Sequence, residues 1–214
     1  MSRAPRLTTT SFALLGLLAV RPWSTYELTR QTDRSLGRFW PRAQSKLYEE
    51  PKKLVAHGLA TAREDQVGER PRTIYEITDA GRRELAAWLD EPPAGPVLES
   101  EPLLRVFLAD QGSKQATLAS LAAAREWAVE RNVGNLEAGT AYAQGGGAFP
   151  QRAAQTLLVG AFLTDYYRLV AEWADWATAQ VEQWPADPAQ AVPDRTEQQA
   201  VLARAQWSAR PPAG

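Results

Sequence analysis

The 214-residue chain carries 44% hydrophobic and 23% charged residues at a net charge of −1, an ordinary globular composition with length enough for one or two domains. It has no cysteine and one histidine, His57, which excludes a disulfide framework, a thiolate nucleophile and a cysteine-histidine zinc site; no metal or cofactor is expected, and the compartment is read as a reducing cytoplasm. The charge is uneven: residues 1–90 hold 15 Lys and Arg against 11 Asp and Glu, and the rest holds 9 against 14, so the front of the chain is the half suited to a polyanion.

Thr8 to Val20 reads as a helix that is apolar on most sides through Phe12, Leu14, Leu15, Leu17 and Leu18, as expected of a helix lying beneath others. It is too short for a bilayer and lacks a persuasive cleavage site, so it is assigned to the core and no membrane partner is expected. Arg21 and Pro22 stop it. Ser24 and Glu27 form a capping-box pair opening a second helix, with Tyr26, Leu28 and Leu36 turned inward and Gly37 at its end. Pro41 suits the start of a third helix. On a wheel of about 100° per residue, Leu47, Pro51, Leu54, Val55 and Gly58 share one side of it, and Arg42, Ser45, Lys46, Glu49, Lys52 and Lys53 the other, with Tyr48 at the seam. Gly58 closes this helix, and His57 beside it fits the favourable dipole end.

From Leu59 to Ala62 the pattern becomes strand-like, a polar turn "EDQVGERPR" follows, and "TIYEI" alternates. Pro71 is expected to stiffen the ribbon tip and project Arg70 and Arg72 toward a phosphate backbone or a narrow minor groove. Thr78 or Asp79 opens a fourth helix with Leu85, Trp88 and Leu89 inward. A basic helix feeding a two-stranded ribbon is the order of a recognition helix and its wing. Hydroxyl and ammonium donors on that helix suit phosphates and acceptor edges in a major groove, although Glu49 and Glu50 sit awkwardly on or beside the face.

These residues resemble the PadR-type transcriptional regulators, the phenolic acid-responsive family. "FALLGLLAVRPWSTYEL" is similar to its opening helix and the entry to helix two, "SKLYEEPKKLVAHGLA" to its recognition helix, and "RTIYEITDAGRRELAAWL" to its wing strand and following helix. The resemblance covers roughly residues 10 to 90 in order and spacing. It implies a dimeric repressor whose basic helix enters the major groove, with Ser45, Lys46, Tyr48, Lys52, Lys53, Arg70 and Arg72 as DNA contacts. Two positions depart from the family pattern: Thr25 replaces a glycine at the entry to helix two, and Pro51 replaces a leucine in the recognition helix. An interior proline removes one backbone bond and costs about 3 kcal/mol in an isolated helix, so either the helix bends there or Pro51 lies nearer its first turn. The helix is expected to persist with a bend, because Leu47, Leu54 and Val55 need burial.

"EPPAGPVLESE" ends the first domain. Ser100 starts a short helix whose Leu103, Leu104, Phe107 and Leu108 are too apolar to stay in water. Lys114 to about Ala143 reads as a long helix striped by Leu118, Leu121, Ala122, Val129, Val133 and Leu136, and "QGGG" at 144–147 reverses the chain. Gln151 to Trp184 makes a second long helix, about 50 Å at 1.5 Å per residue, striped by Leu158, Phe162, Tyr166, Leu169, Trp173, Ala177 and Val181. A hairpin of two such helices cannot hide both stripes, which predicts an isologous homodimer and a near-palindromic operator in double-stranded DNA, with recognition helices about 34 Å apart. Asp194 to Trp207 reads as a short final helix, and "SARPPAG" as a frayed tail.

Trp127, Trp173 and Trp176 on the long helices serve either as core and interface filler or as walls for a small aromatic or cationic effector; the residues leave both open. An enzyme is not expected, since no nucleophile with its base, metal cluster or phosphate-cradling glycine loop is present. The resulting architecture is mainly α: a winged helix–turn–helix domain with a small β-hairpin wing at 1–91, a linker at 92–99, a helical dimerisation and effector domain at 100–186, and a proline-rich link, short helix and tail at 187–214. The function expected is a sequence-specific transcriptional repressor. The alternative is a winged-helix protein interaction scaffold without sequence-specific DNA binding.

Overall fold

A computed structural model describes residues 6–41, 44–67 and 70–209, with side chains described throughout except at 44–46, 67, 70 and 208–209. The last five residues of the expected tail therefore lie outside the described residues, as do Arg42 and the hairpin tip at 68–69. The chain divides into two compact units, Met1–Pro96 and Val97–Gly214.

In the first unit, α1 (Thr9–Leu18) begins at a reciprocal cap in which the Thr8 hydroxyl accepts the Ser11 N–H and the Ser11 hydroxyl accepts the Thr8 N–H. Leu14, Leu15, Leu17 and Leu18 are all buried, as a helix apolar on most sides requires. Helix α2 (Thr25–Ser35) starts at the predicted Ser24–Glu27 capping box. It buries Leu28, Thr29 and Thr32, which share one face; Tyr26, expected inward, falls on the opposite side of the first turn and is exposed.

The residues before that helix form a strand that sequence alone did not suggest. Strand β1 (Trp23–Ser24) joins β2 (Ala60–Val67) and β3 (Arg70–Ile77) in an antiparallel sheet of order β1-β3-β2. Trp23 faces Tyr75 and Ser24 faces Ile74 across one edge of β3, so both Ile74 and Tyr75 are buried although they point to opposite faces. The Trp23 indole N–H donates to the Leu17 carbonyl at 2.9 Å, tying the small sheet to α1.

Helix α3 (Gln44–Ala56) runs through Pro51, which lies in its interior and not in its first turn. Pro51 is fully buried with Leu47 and Leu54, so the packing that the apolar side supplies accompanies the bond its ring removes. Gly58, placed on the apolar side by the wheel, is instead exposed beyond the helix end, where its φ of 69° allows the turn into β2. Helix α4 (Asp79–Leu89) is capped by Thr78, whose hydroxyl accepts from the Gly81 N–H and donates to the Gly58 carbonyl at 2.8 Å. Gly81 lies so near the Leu59 carbonyl that a Cβ would collide with it, which fixes a close crossing between α4 and the start of the wing. Trp88 stacks on Phe12 with centroids 4.8 Å apart. Leu89, one residue further round, points outward and is 67% exposed, against expectation.

In the second unit, α5 (Glu101–Phe107) precedes an antiparallel hairpin of α6 (Lys114–Ala143) and α7 (Ala153–Glu182), and α8 (Arg195–Ala205) follows. The Lys114 ammonium donates to the carbonyls of Glu182 and Trp184 at 2.9 and 2.8 Å, placing a cation on the C-terminal end of α7. Arg125 pairs with Asp175 at 2.7 Å, and the Asn135 amide donates to the Thr164 hydroxyl at 2.8 Å. The seam between the helices is made of Leu121, Ala124 and Ala128 facing Tyr167, Ala174, Ala177 and Val181. The predicted stripes therefore divide. Leu121, Ala177 and Val181 are buried, whereas Val129, Val133, Leu136, Leu158, Phe162 and Leu169 lie on the outside of the hairpin, exposed. Leu103, Leu104, Phe107 and Leu108 of α5 are exposed as well. No helix among the described residues is long and apolar enough to cross a membrane.

Candidate nucleic-acid interface

Helix α3 is held against α1 by a polar tether that its sequence did not reveal. The Glu50 carboxylate accepts from the Ser11 hydroxyl at 2.6 Å and the Thr8 hydroxyl at 3.5 Å, so the residues that cap α1 also seat α3. Lys53 closes the same cluster at 3.4 Å from Glu50, and both side chains are largely covered, 13% and 14% exposed. Lys53 was expected on the open face with Lys52; the tether draws it to the α1 side. Lys52 behaves as expected: its side chain is 66% exposed and pairs 3.2 Å away with the equally open Glu49.

The outward face of α3 therefore presents Lys52 and Glu49 at its centre and Tyr48, 41% exposed, on its shoulder. Ser45 and Lys46 belong to the same helix, but their side chains lie outside the described residues. A lysine, a phenol and a carboxylate side by side combine a phosphate-seeking cation with groups able to pair with base edges. A carboxylate is repelled by phosphates and finds a donor in a major groove chiefly at the amino group of cytosine.

The wing is longer and flatter than expected. Both strands extend through the stretch read as a turn, bringing Val67 opposite Arg70 and Asp65 opposite Arg72, so Pro71 and Arg72 are strand residues and not the tip. The Arg72 guanidinium donates twice to Asp65, at 2.7 and 2.9 Å, and so lies across the ribbon and does not project from a bend. That pair holds the Asp65 carboxyl below the usual aspartate range, with Arg63 contributing. Arg70 opens β3, its side chain outside the described residues. Arg63, exposed on β2, carries no local signal of its place there, because the alternation that identifies strands does not exist in "REDQ".

This arrangement has known counterparts. Residues 14–87 match the transcriptional regulator PadR-like family. That span takes in the second half of α1, all of α2 and α3, the whole ribbon and most of α4. Over those residues the winged domain is similar to that family. Over 106 residues the chain is 33% identical to the negative transcriptional regulator PadR of Bacillus subtilis, covering 49% of this chain and 58% of that one. The chain spans about half the length of the curated relatives it matches. Two solved structures of Bacillus subtilis PadR share the fold: one with operator DNA (TM-score 0.65, 23% identity, 81% of this chain and 99% of that one) and one with p-coumaric acid (TM-score 0.60, 23% identity, 82% and 100%).

Outside the matched residues, the helical unit contains a cavity of about 610 Å³ whose lining includes Trp127, Tyr166 and Trp173. Two of the three tryptophans singled out by sequence thus meet at one cavity. The third does not: Trp176 donates its indole N–H to Glu197 of α8 at 3.0 Å and carries Arg204 near its ring, so it fastens the last helix to α7. Trp127 meets Tyr166 and Tyr167 edge-on at 6.2 and 5.7 Å, which holds its ring upright at the cavity wall.

Proposed function

We propose that the chain is a cytoplasmic, sequence-specific transcriptional repressor that binds a near-palindromic operator as an isologous homodimer and is released from it by a small aromatic effector. The observation that carries the DNA reading is the outward face of α3, where Lys52, Glu49 and Tyr48 stand open on a helix locked from behind by Glu50. Membership of residues 14–87 in a regulator family supports it, as does the solved complex of Bacillus subtilis PadR with operator DNA.

The homodimer is supported by the apolar side chains that the α6–α7 hairpin leaves exposed, Leu157, Leu158 and Phe162 on α7 and Val129, Val133 and Leu136 on α6. Apolar residues left open in such number on two paired helices are the mark of an interface. Twofold pairing would set two recognition helices about 34 Å apart, one turn of duplex. The effector role is supported by the cavity at Trp127 and Trp173, and by the solved complex of Bacillus subtilis PadR with p-coumaric acid.

A gel shift with DNA from the protein's own genomic neighbourhood tests the whole reading. A regulator gives a complex that survives competitor DNA and maps to two half-sites about 10 bp apart. A protein interaction scaffold gives no sequence-selective complex, and that result ends the proposal.

A further inference from the structure

The cavity of the helical unit has charges of one sign in its lining. Glu99 and Glu101 border it, no basic residue does, and the rest of its wall is predominantly apolar or aromatic. Glu101 is already engaged by Arg105 at 2.7 Å, within α5. Glu99 is exposed and enters no ion pair among the described residues, so its carboxylate is the charge that an incoming molecule meets. Trp127, Tyr166 and Trp173 offer the negative faces or positive edges of three rings, and the guanidiniums next to lining residues, Arg105 on Glu101 and Arg131 at 5.9 Å from the Trp127 centroid, do not themselves line the cavity.

We propose that this cavity is a binding site for an aromatic cation, an amine or quaternary ammonium carried on a flat ring, and not for the carboxylate of a phenolic acid. The inference rests on the reading that the helical unit receives the effector, and it names the class of that effector. A carboxylate entering here leaves water for an apolar wall and brings its charge toward Glu99, with no lining cation to receive it. An ammonium instead meets a free carboxylate and ring faces that attract positive charge, while its aromatic part fills the apolar remainder. The cavity volume exceeds what a single substituted ring needs, so two-ring and three-ring cations fit the same description.

Tryptophan fluorescence of the full chain, without DNA, tests this with benzyltrimethylammonium, benzylammonium, benzyl alcohol and phenylacetate, which keep the benzyl group and vary the charge of its substituent, and with p-coumarate beside them. Benzyltrimethylammonium is expected to bind roughly tenfold tighter than either anion, with the neutral alcohol between. Glu99→Gln, a substitution at an exposed position that leaves packing alone, is expected to weaken the cation about fivefold and the alcohol hardly at all. Equal binding of all probes, preference for an anion, or no binding of any overturns the proposal. Operator release is then read separately by gel shift. Selective cation binding that leaves the operator complex intact keeps the site and removes its role as effector pocket; release by p-coumarate alone keeps the regulator and removes the cation site.

Discussion

The two units treat the same kinds of residue differently. In the winged unit Leu14, Leu15, Leu28 and Leu54 are 0–1% exposed, enclosed by three helices and a sheet. In the helical unit Leu157, Leu158, Phe162 and Leu169 are 61–74% exposed, although α7 is nearly three times as long as α2. A hairpin offers each helix one neighbour, and the seam of α6 and α7 takes in Leu121, Leu163, Tyr167 and Val181 beside Ala124, Ala128, Ala174 and Ala177, leaving the other large side chains of the two helices without a neighbour to cover them. The winged unit buries or half-buries most of its large apolar side chains, although Tyr26 and Leu89 stay exposed. The helical unit leaves more of them open, and the second copy proposed above would cover them by symmetry.

The largest expected effect follows from placing charge in that open surface. Leu158→Asp with Phe162→Asp should weaken self-association about a thousandfold or more, because carboxylates buried without partners would oppose the proposed interface. Sedimentation velocity across a concentration series reads this directly, and operator affinity should fall with it, since each half-site would be held by a monomer. A double variant that sediments like the wild type would break the contrast between the units.

The same comparison read from the closed side gives the next effect. Leu54→Ala removes a fully buried side chain of α3 and should destabilise the winged unit by about 2–5 kcal/mol in urea denaturation. Leu157→Ala removes the same atoms from an exposed position and should change the stability of a monomeric background by about 0.5 kcal/mol or less.

Within α3 the contrast recurs between neighbours. Lys52→Ala should lower operator affinity and flatten the salt dependence by about 0.9 in log–log slope, the signature of one lost phosphate contact, with thermal stability unchanged. Lys53→Ala should do the reverse, costing stability of about 1 kcal/mol by leaving Glu50 without its cation while altering the salt slope little. Gel shifts at several salt concentrations, paired with melting curves, separate the two. Equal slopes for both variants would show that the tether to Glu50 opens when DNA is bound.

That pair also shows where sequence reasoning ends. Helices were legible because caps and periodicity are local: Thr8, Ser24 with Glu27 and Thr78 each announce a start within three or four residues of chain. Lys52 and Lys53 are equivalent on a wheel. Only Ser11, 39 residues before Glu50, distinguishes them, and nothing in the sequence joins those two. The strand β1 has two residues and so no alternation to detect, while Arg63 to Gln66 is polar throughout and is strand only because β3 lies beside it. Trp176 was grouped with Trp127 and Trp173 by its place on α7; it is drawn away by Glu197, a residue on a helix whose role the sequence left unread.

The smallest effect concerns the cap that links sheet and helix in the winged unit. The Glu27 carboxylate accepts from the Ser24 hydroxyl at 2.7 Å and the Ser24 N–H at 2.9 Å, and those bonds, with Arg21 at 3.9 Å, hold its carboxyl below the usual glutamate range. A carboxyl whose folded pKa is depressed stabilises the fold fully above its unfolded value, and that contribution disappears as pH falls through the folded one. Ser24→Ala should therefore destabilise the winged unit by about 1 kcal/mol at neutral pH, and its difference from the wild type should shrink on acidification below the ordinary glutamate pKa. A gap that stays constant down to the acid transition would assign the stabilisation to the Ser24 hydroxyl acting on the Glu27 N–H alone, because that bond does not titrate. The exposed carboxylates of α7, such as Asp165 and Glu172 beside Arg168, offer the control: their pairs stand in water, so removing Arg168 should give a change near the limit of measurement at every pH.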